Sequence, residues 1–309
     1  MKKKAAFLLF ILAACGGNYS NEDVEFLGAL PVRSELESKL PQQAVQSGVT
    51  GTRQQALSVG DQSTAYADAR AASDSFNSGL FWLLDLIDQI RLLPPTRREP
   101  DRRIWGPFPD HDHPGFIDEV VMERLEPALF NYRIEFRRQD DPPSAPWIPL
   151  VVGSFRGTGG ARKGTGEVHL LAATARAGGF STTNLDSVQT IDMSYVTDQS
   201  PIEVNMSIQA TPGSGLQTVA YAYSEYDDHH GLIQFSATGV DPSSGSTLVL
   251  AEVARWLPTG EGRSDITVQA GAFTGTIAVE CWDAQFRVTY ANKPWETPPV
   301  VGNAASCAL

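Results

Sequence analysis

Four of the five histidines stand in two acidic clusters, Asp110-His111-Asp112-His113 and Asp227-Asp228-His229-His230. Imidazole nitrogens and carboxylate oxygens together suit zinc or another divalent cation. If the two segments met in space, His111, His113, His229 and His230 would be the weak candidates for a metal site. Each cluster, however, lies in a turn setting, Pro109 to Gly115 and Asp227 to Gly231. Turns favour aspartate because its side chain bonds nearby backbone amides, so solvated turns account for both clusters without an ion. The expectation is no metal and no cofactor. His169 reads as a strand residue.

The run GTGGARKGTG, Gly157 to Gly166, invites comparison with phosphate loops but lacks the G-x-x-x-x-G-K-[ST] spacing and has no clear helix after it. A glycine-rich hairpin or flexible loop is the better reading. There is no G-x-S-x-G nucleophile motif. Arg91, Arg97, Arg98, Arg102 and Arg103, diluted by Glu99 and Asp101, could meet a phosphate or lipid headgroup; the preferred reading is a solvated connector. Trp105-Gly106-Pro107-Phe108 and Cys281-Trp282-Asp283 read as structural, with large rings sealing a core. No residue is expected to be catalytic, and the protein is not expected to be an enzyme.

The N-terminus reads MKKKAAFLLFILAAC. Lys2 to Lys4 form a basic start, and Phe7 to Leu12 an apolar core too short to span a bilayer. Leu12-Ala13-Ala14-Cys15 resembles the lipobox of bacterial lipoproteins. The resemblance implies cleavage before Cys15 and acylation of its thiol and new amino group, which would anchor the chain firmly in a membrane. Gly16 rather than Asp follows the cysteine, which in that family implies the outer membrane. The alternative is an ordinary secreted protein in which Cys15 is incidental. The chain divides into a signal peptide (1–14), a lipidated cysteine with a polar tether (15–60) carrying one short helix near Ser34 to Leu40, and a single domain (61–309). No later segment reads as a transmembrane helix. Cys281 and Cys307 would lie in the exported part, where disulfides persist, and are expected to bridge. The alternative is two free thiols.

The elements that must position these residues change character along the chain. Ser63 to Leu93 is helical in pattern, with a second segment capped at Asp74 or Ser75. Phe76, Leu80, Leu83, Leu84, Ile87 and Ile90 recur at spacings of three and four, widened by Phe81, Trp82 and Leu86. Pro94-Pro95 ends it. Beyond 103 the period becomes two. Ile202 to Ala210, Phe130 to Arg137, Ile266 to Ala270 and Trp282 to Tyr290 alternate clearly, and about seven other segments do so less cleanly, Val168–Thr174 among them. Short, turn-rich links make neighbours antiparallel. The expected fold is mainly β with an N-terminal helical part, α+β. It is a strongly curved antiparallel meander or incomplete barrel of about ten strands, with a long apolar helix on or inside it.

Lys+Arg 24 against Asp+Glu 36 leaves a formal charge of −12, which argues against nucleic acid as a partner. The apolar helix, Pro-Pro-Thr (94–96), Trp-Gly-Pro-Phe (105–108) and Cys-Trp-Asp (281–283) resemble uncharacterised lipoproteins of myxobacterial type. That family has no known activity and implies none. In outline the plan is also similar to the bacterial lipoprotein carrier and its outer-membrane acceptor. Two functions follow as expectations. One is a structural or interaction role in the cell envelope, with the membrane and an envelope protein as partners. The other is carriage of a lipid or other apolar ligand between helix and concave sheet.

Overall fold

The computed structural model describes residues 19–42, 57–160, 162–180, 186–211, 217–240, 247–271, 273–307 and 309. Residues 1–18, with the expected signal peptide and Cys15, and residues 43–56 lie outside the described residues. The helices are α1 (Asn21–Gly28), α2 (Arg33–Leu36), α3 (Thr64–Arg91) and α4 (Ala172–Ala177). The first strands are β1 (Arg97–Glu99), β2 (Arg102–Pro109), β3 (Phe116–Glu126), β4 (Leu129–Arg138), β5 (Ile148–Gly157), β6 (Gly164–Leu170), β7 (Val188–Val196) and β8 (Ile202–Ala210). There follow β9 (Gln217–Glu225), β10 (Gly231–Val240), β11 (Thr247–Trp256), β12 (Gly262–Ala270), β13 (Ile277–Trp282), β14 (Val288–Asn292) and β15 (Val300–Gly302).

Among the described residues these fifteen strands form one antiparallel sheet whose spatial order is their sequence order, β1 to β15. The sheet is not closed; β1 and β15 are its edges. The meander expected from short links is therefore present, with fifteen strands in place of about ten. Part of the difference lies at the ends, where β1, β2 and β15 add strands. The segment Trp282 to Tyr290, expected as one strand, is a hairpin. Asp283 Oδ1 accepts the amides of Gln285 and Arg287, each at 2.9 Å, and Phe286 takes φ 60°. The side chain thus captures the amides a continuing ladder would need. Val168–Thr174, expected as a strand, ends at Leu170, and the helix-favouring run Ala172–Ala177 becomes α4.

The segment expected as two helices is one, α3, capped by Ser63, whose Oγ accepts the amide of Tyr66 at 2.9 Å. It is amphipathic rather than apolar. Phe76, Leu80, Leu83, Leu84 and Ile87 are buried, whereas Asp74, Ser75, Asp85 and Gln89 are exposed. It runs across the strands. Its first turn meets β13 through Glu280, its middle meets β8 and β9, and the carbonyl of Leu93, just past its end, accepts Trp105 Nε1 of β2 at 2.7 Å. Gly79 marks the close crossing, because a Cβ there would sit 3.3 Å from Met206 Cε. No helix among the described residues is long and apolar enough to cross a membrane.

Residues 19–42, expected within a polar tether, belong to the folded body. Phe26, Leu30, Leu36 and Leu40 are buried in the main core, with Phe26 edge-on to Phe130 at 5.3 Å. The arginine stretch expected as a solvated connector is instead a set of pins. Arg91 donates to the carbonyls of Leu30 and Pro31 at 2.8 and 2.7 Å. Arg103, 2% exposed, donates through Nε to Asp23 Oδ1 at 2.7 Å and lies over the Phe26 ring. Buried guanidinium and carboxylate must find each other, because either alone would be strongly destabilising.

Candidate ligand-binding cleft

The His/Asp clusters separate. His111 and His113 occupy the β2–β3 hairpin, and His229 and His230 the β9–β10 hairpin. Measured along the sheet, seven strand spacings, about 34 Å, part β3 from β10. Hairpins of a meander alternate ends, so these two also lie at opposite ends of the sheet. The topology therefore does not bring the two clusters together. Each cluster serves its own turn. Asp110 Oδ1 accepts the amides of Asp112 and His113 at 2.8 and 2.9 Å, and its Oδ2 meets His113 Nδ1 at 2.8 Å. His229 Nδ1 meets Glu225 Oε1 at 3.0 Å, while His230 pairs with Asp228 and stacks on Tyr226. Among the described residues no group of three His, Cys, Asp or Glu side chains is placed to hold a metal ion. His169, in β6 as expected, meets Asp192 Oδ1 at 2.7 Å. Within the glycine-rich run, Gly157 ends β5 and Gly164 begins β6, its antiparallel neighbour.

The β2–β3 cluster has a second role. It borders a cleft of about 590 Å³ between the C-terminal half of α3 and strands β2 to β5. Trp82, Ile90, Leu93, Phe108, Val120, Ile134, Phe136, Leu150 and Phe180 supply its apolar lining. Phe180, just past α4, packs on Phe136 at 4.5 Å between ring centres and on His113 at 4.1 Å. The polar border is acidic: Asp110, Asp112, Asp118, Glu119 and Glu135, with His113 and Gln89.

Register explains how a carboxylate enters an apolar wall. Asp118 pairs with Phe108 of β2 and with Phe136 of β4. Directly opposed residues share a face, so Asp118 stands between two phenylalanines. The approach of β2 depends on Gly106, at φ 110°, where a Cβ would lie 2.7 Å from the Asp118 carbonyl oxygen. Burial, then the neighbouring Asp110 carboxylate, raises the Asp118 pKa above the ordinary carboxylate value. Glu119 opposes Glu135 in register and is raised by burial and then by that neighbour. Glu135 accepts Arg133 Nε at 2.9 Å.

A second polar centre lies where α3 begins. Glu280 is fully buried on β13 and is bonded by Ser63, Thr64 and the Ala65 amide, and by Lys293. Glu252, 4% exposed, accepts only from Ser264 Oγ, at 2.6 Å, among the bonds of the described residues. Burial pushes its pKa up to about 8. Sequence reading found neither acid, nor Asp118: each occupies a strand position where alternation alone cannot tell a core face from a wet one.

Cys281 and Cys307 lie at disulfide distance, Cα atoms 5.5 Å apart, and tie the segment after β15 to β13. Comparison with protein-family models, with characterised proteins and with solved structures finds no match.

Proposed function

We propose that this protein is a lipid-anchored component of the bacterial cell envelope, held at the outer membrane through Cys15, that binds an apolar ligand without catalysis. The cleft carries this reading: apolar side chains of α3 and β2 to β5 line a space of about 590 Å³, within the range of small-molecule sites. The basic start, short apolar core and Leu-Ala-Ala-Cys sequence support export and acylation. The paired Cys281 and Cys307 suit an oxidising compartment. Eleven strand spacings, about 53 Å, part β2 from β13, against about 42 Å of α3, which supports a sheet bent around the helix. The polar groups at the rim are carboxylates, Gln89 and an imidazole held by Asp110, a recognition set rather than a nucleophile–base pair.

A structural or interaction role in the envelope has its own support, because the middle of the helix–sheet interface is filled. Leu80, Leu83 and Leu84 are fully buried, so a ligand would occupy one end of the helix and not its whole length. The two readings separate in native mass spectrometry of the protein from an envelope extract. Extra non-covalent mass that disappears on solvent extraction, and is lost from Leu93→Glu at the cleft, supports ligand binding. A bare mass for both proteins supports the interaction role. Retention of acyl mass by the native chain and its loss from Cys15→Ser tests the anchor.

A further inference from the structure

The cleft's charge pattern selects among apolar ligands, and this inference rests on the ligand-binding reading above. Asp118 Oδ1 is shut off from solvent and receives no hydrogen bond among the described residues. A buried carboxylate oxygen without a donor is costly. The charged groups that act on Asp118 are Asp110 and His113. Of these, Asp110 adds like charge, and His113 is already held by Asp110 and packed at a tilt against Phe180. Glu135 is met by Arg133, and Arg97 and Arg102 act on Glu119. Around Asp118 and Asp110 the wall offers apolar surface and anions, with no lysine or arginine in its described lining.

We propose that the cleft receives a single-chain amphiphile with an ammonium head group, an amine-bearing lipid, its head between Asp118 and Asp110 and its chain against Trp82, Ile90 and Phe136. An ammonium brings three donors and one positive charge, which meets both the unpaired oxygen and the like-charge pair. A carboxylate head would add a third negative charge at this point. An uncharged head would leave the electrostatics of the rim unanswered.

The test uses the full chain carrying Cys15→Ser, so that no acyl chain competes. Dodecylammonium, dodecanol and dodecanoate are titrated below their micellar concentrations, with tryptophan fluorescence and native mass spectrometry as readouts. Dodecylammonium is expected to bind one to one, about tenfold more tightly than dodecanol, with dodecanoate weakest. Asp118→Asn is expected to remove most of the ammonium's advantage while dodecanol binding holds. Gln89→Lys, at an exposed position on the same rim, supplies a competing cation without touching the core and is expected to do the same. Equal binding of all three amphiphiles, or an ammonium advantage that survives both variants, overturns the head-group assignment and leaves the apolar cleft standing. Binding of none overturns both.

Discussion

Ser63 Oγ lies 2.5 Å from Glu280 Oε1, a bond joining residues 217 apart in the chain. The same hydroxyl accepts the amide of Tyr66, and Glu280 Oε1 also accepts the amide of Ala65 at 3.1 Å. The first turn of α3 is therefore tied to a strand of the sheet through the Ala65 amide and the Ser63 hydroxyl, which also caps the helix. Thr64 donates to the other carboxylate oxygen at 2.9 Å, and Lys293 reaches both Thr64 Oγ1 and the carboxylate. One buried acid thus fixes where a 28-residue helix starts over the sheet. Burial raises the Glu280 pKa, but Lys293 and these donors outweigh it and hold the group below the ordinary value.

Removing one partner of this pair should cost more than its contacts suggest, because the other charge is left buried. Glu280→Gln and Lys293→Met are each expected to lower unfolding stability by about 3 kcal/mol. The double variant should lose less than the two combined, by about 1 kcal/mol or more. Urea unfolding of the four proteins checks this. Strict additivity would show that the pair is not coupled.

Glu252 gives a pH dependence of opposite character. Its folded pKa of about 8 exceeds the ordinary 4.5, through burial and then, after the Ser264 bond that lowers it, through Asp68 and Glu280, with Lys293 acting the other way. Between these values the folded state keeps a proton that the unfolded chain has released. Stability should therefore fall as pH rises from about 4.5 to about 8, by a few kcal/mol at most. Glu252→Gln should flatten the decline and be the more stable protein at pH 9. Thermal unfolding across that range, with both proteins declining alike, would refute the assignment.

Asp23 behaves in the reverse sense. Burial alone would raise its pKa, but the Ser20 amide, Arg103 and Arg98 bring it down to about 2 from 3.8. Its contribution is complete above pH 3.8 and is lost as pH falls through 2. Asp23→Asn should unfold about 3 kcal/mol more easily at pH 7, and its acid-unfolding curve should lack that last protonation step. α1 should detach first, read as faster exchange of the amides around Phe26.

The Cys281–Cys307 link closes a 26-residue separation around β14 and β15. In the loop-entropy description a ring of this size contributes about 3.5 kcal/mol. Cys281→Ser with Cys307→Ser should lose about that much and expose β15 to proteolysis before any other strand. Full resistance of the segment after Asn292 would show that backbone pairing alone retains it.

Much of the frame was legible in the residues themselves. The alternation over Ile202–Ala210 marks a strand with those limits, Ser63 and Pro94 bracket the helix, and short links imply a meander. These signals are local: side-chain period, capping and turn chemistry act within a few residues. What only the tertiary structure decided is which distant residues share a face or a charge. Phe26 and Leu36 look like parts of a polar tether until the sheet supplies a surface to cover. Glu280 and Lys293 look like ordinary polar residues of a strand and a tail until the helix lands on them. Asp118 becomes a candidate recognition group only because register sets it between Phe108 and Phe136. Composition and period determine that a sheet and a helix form; cross-strand register and the landing point of the helix determine which polar groups are buried, and those long-range pairings leave no periodic trace in the chain.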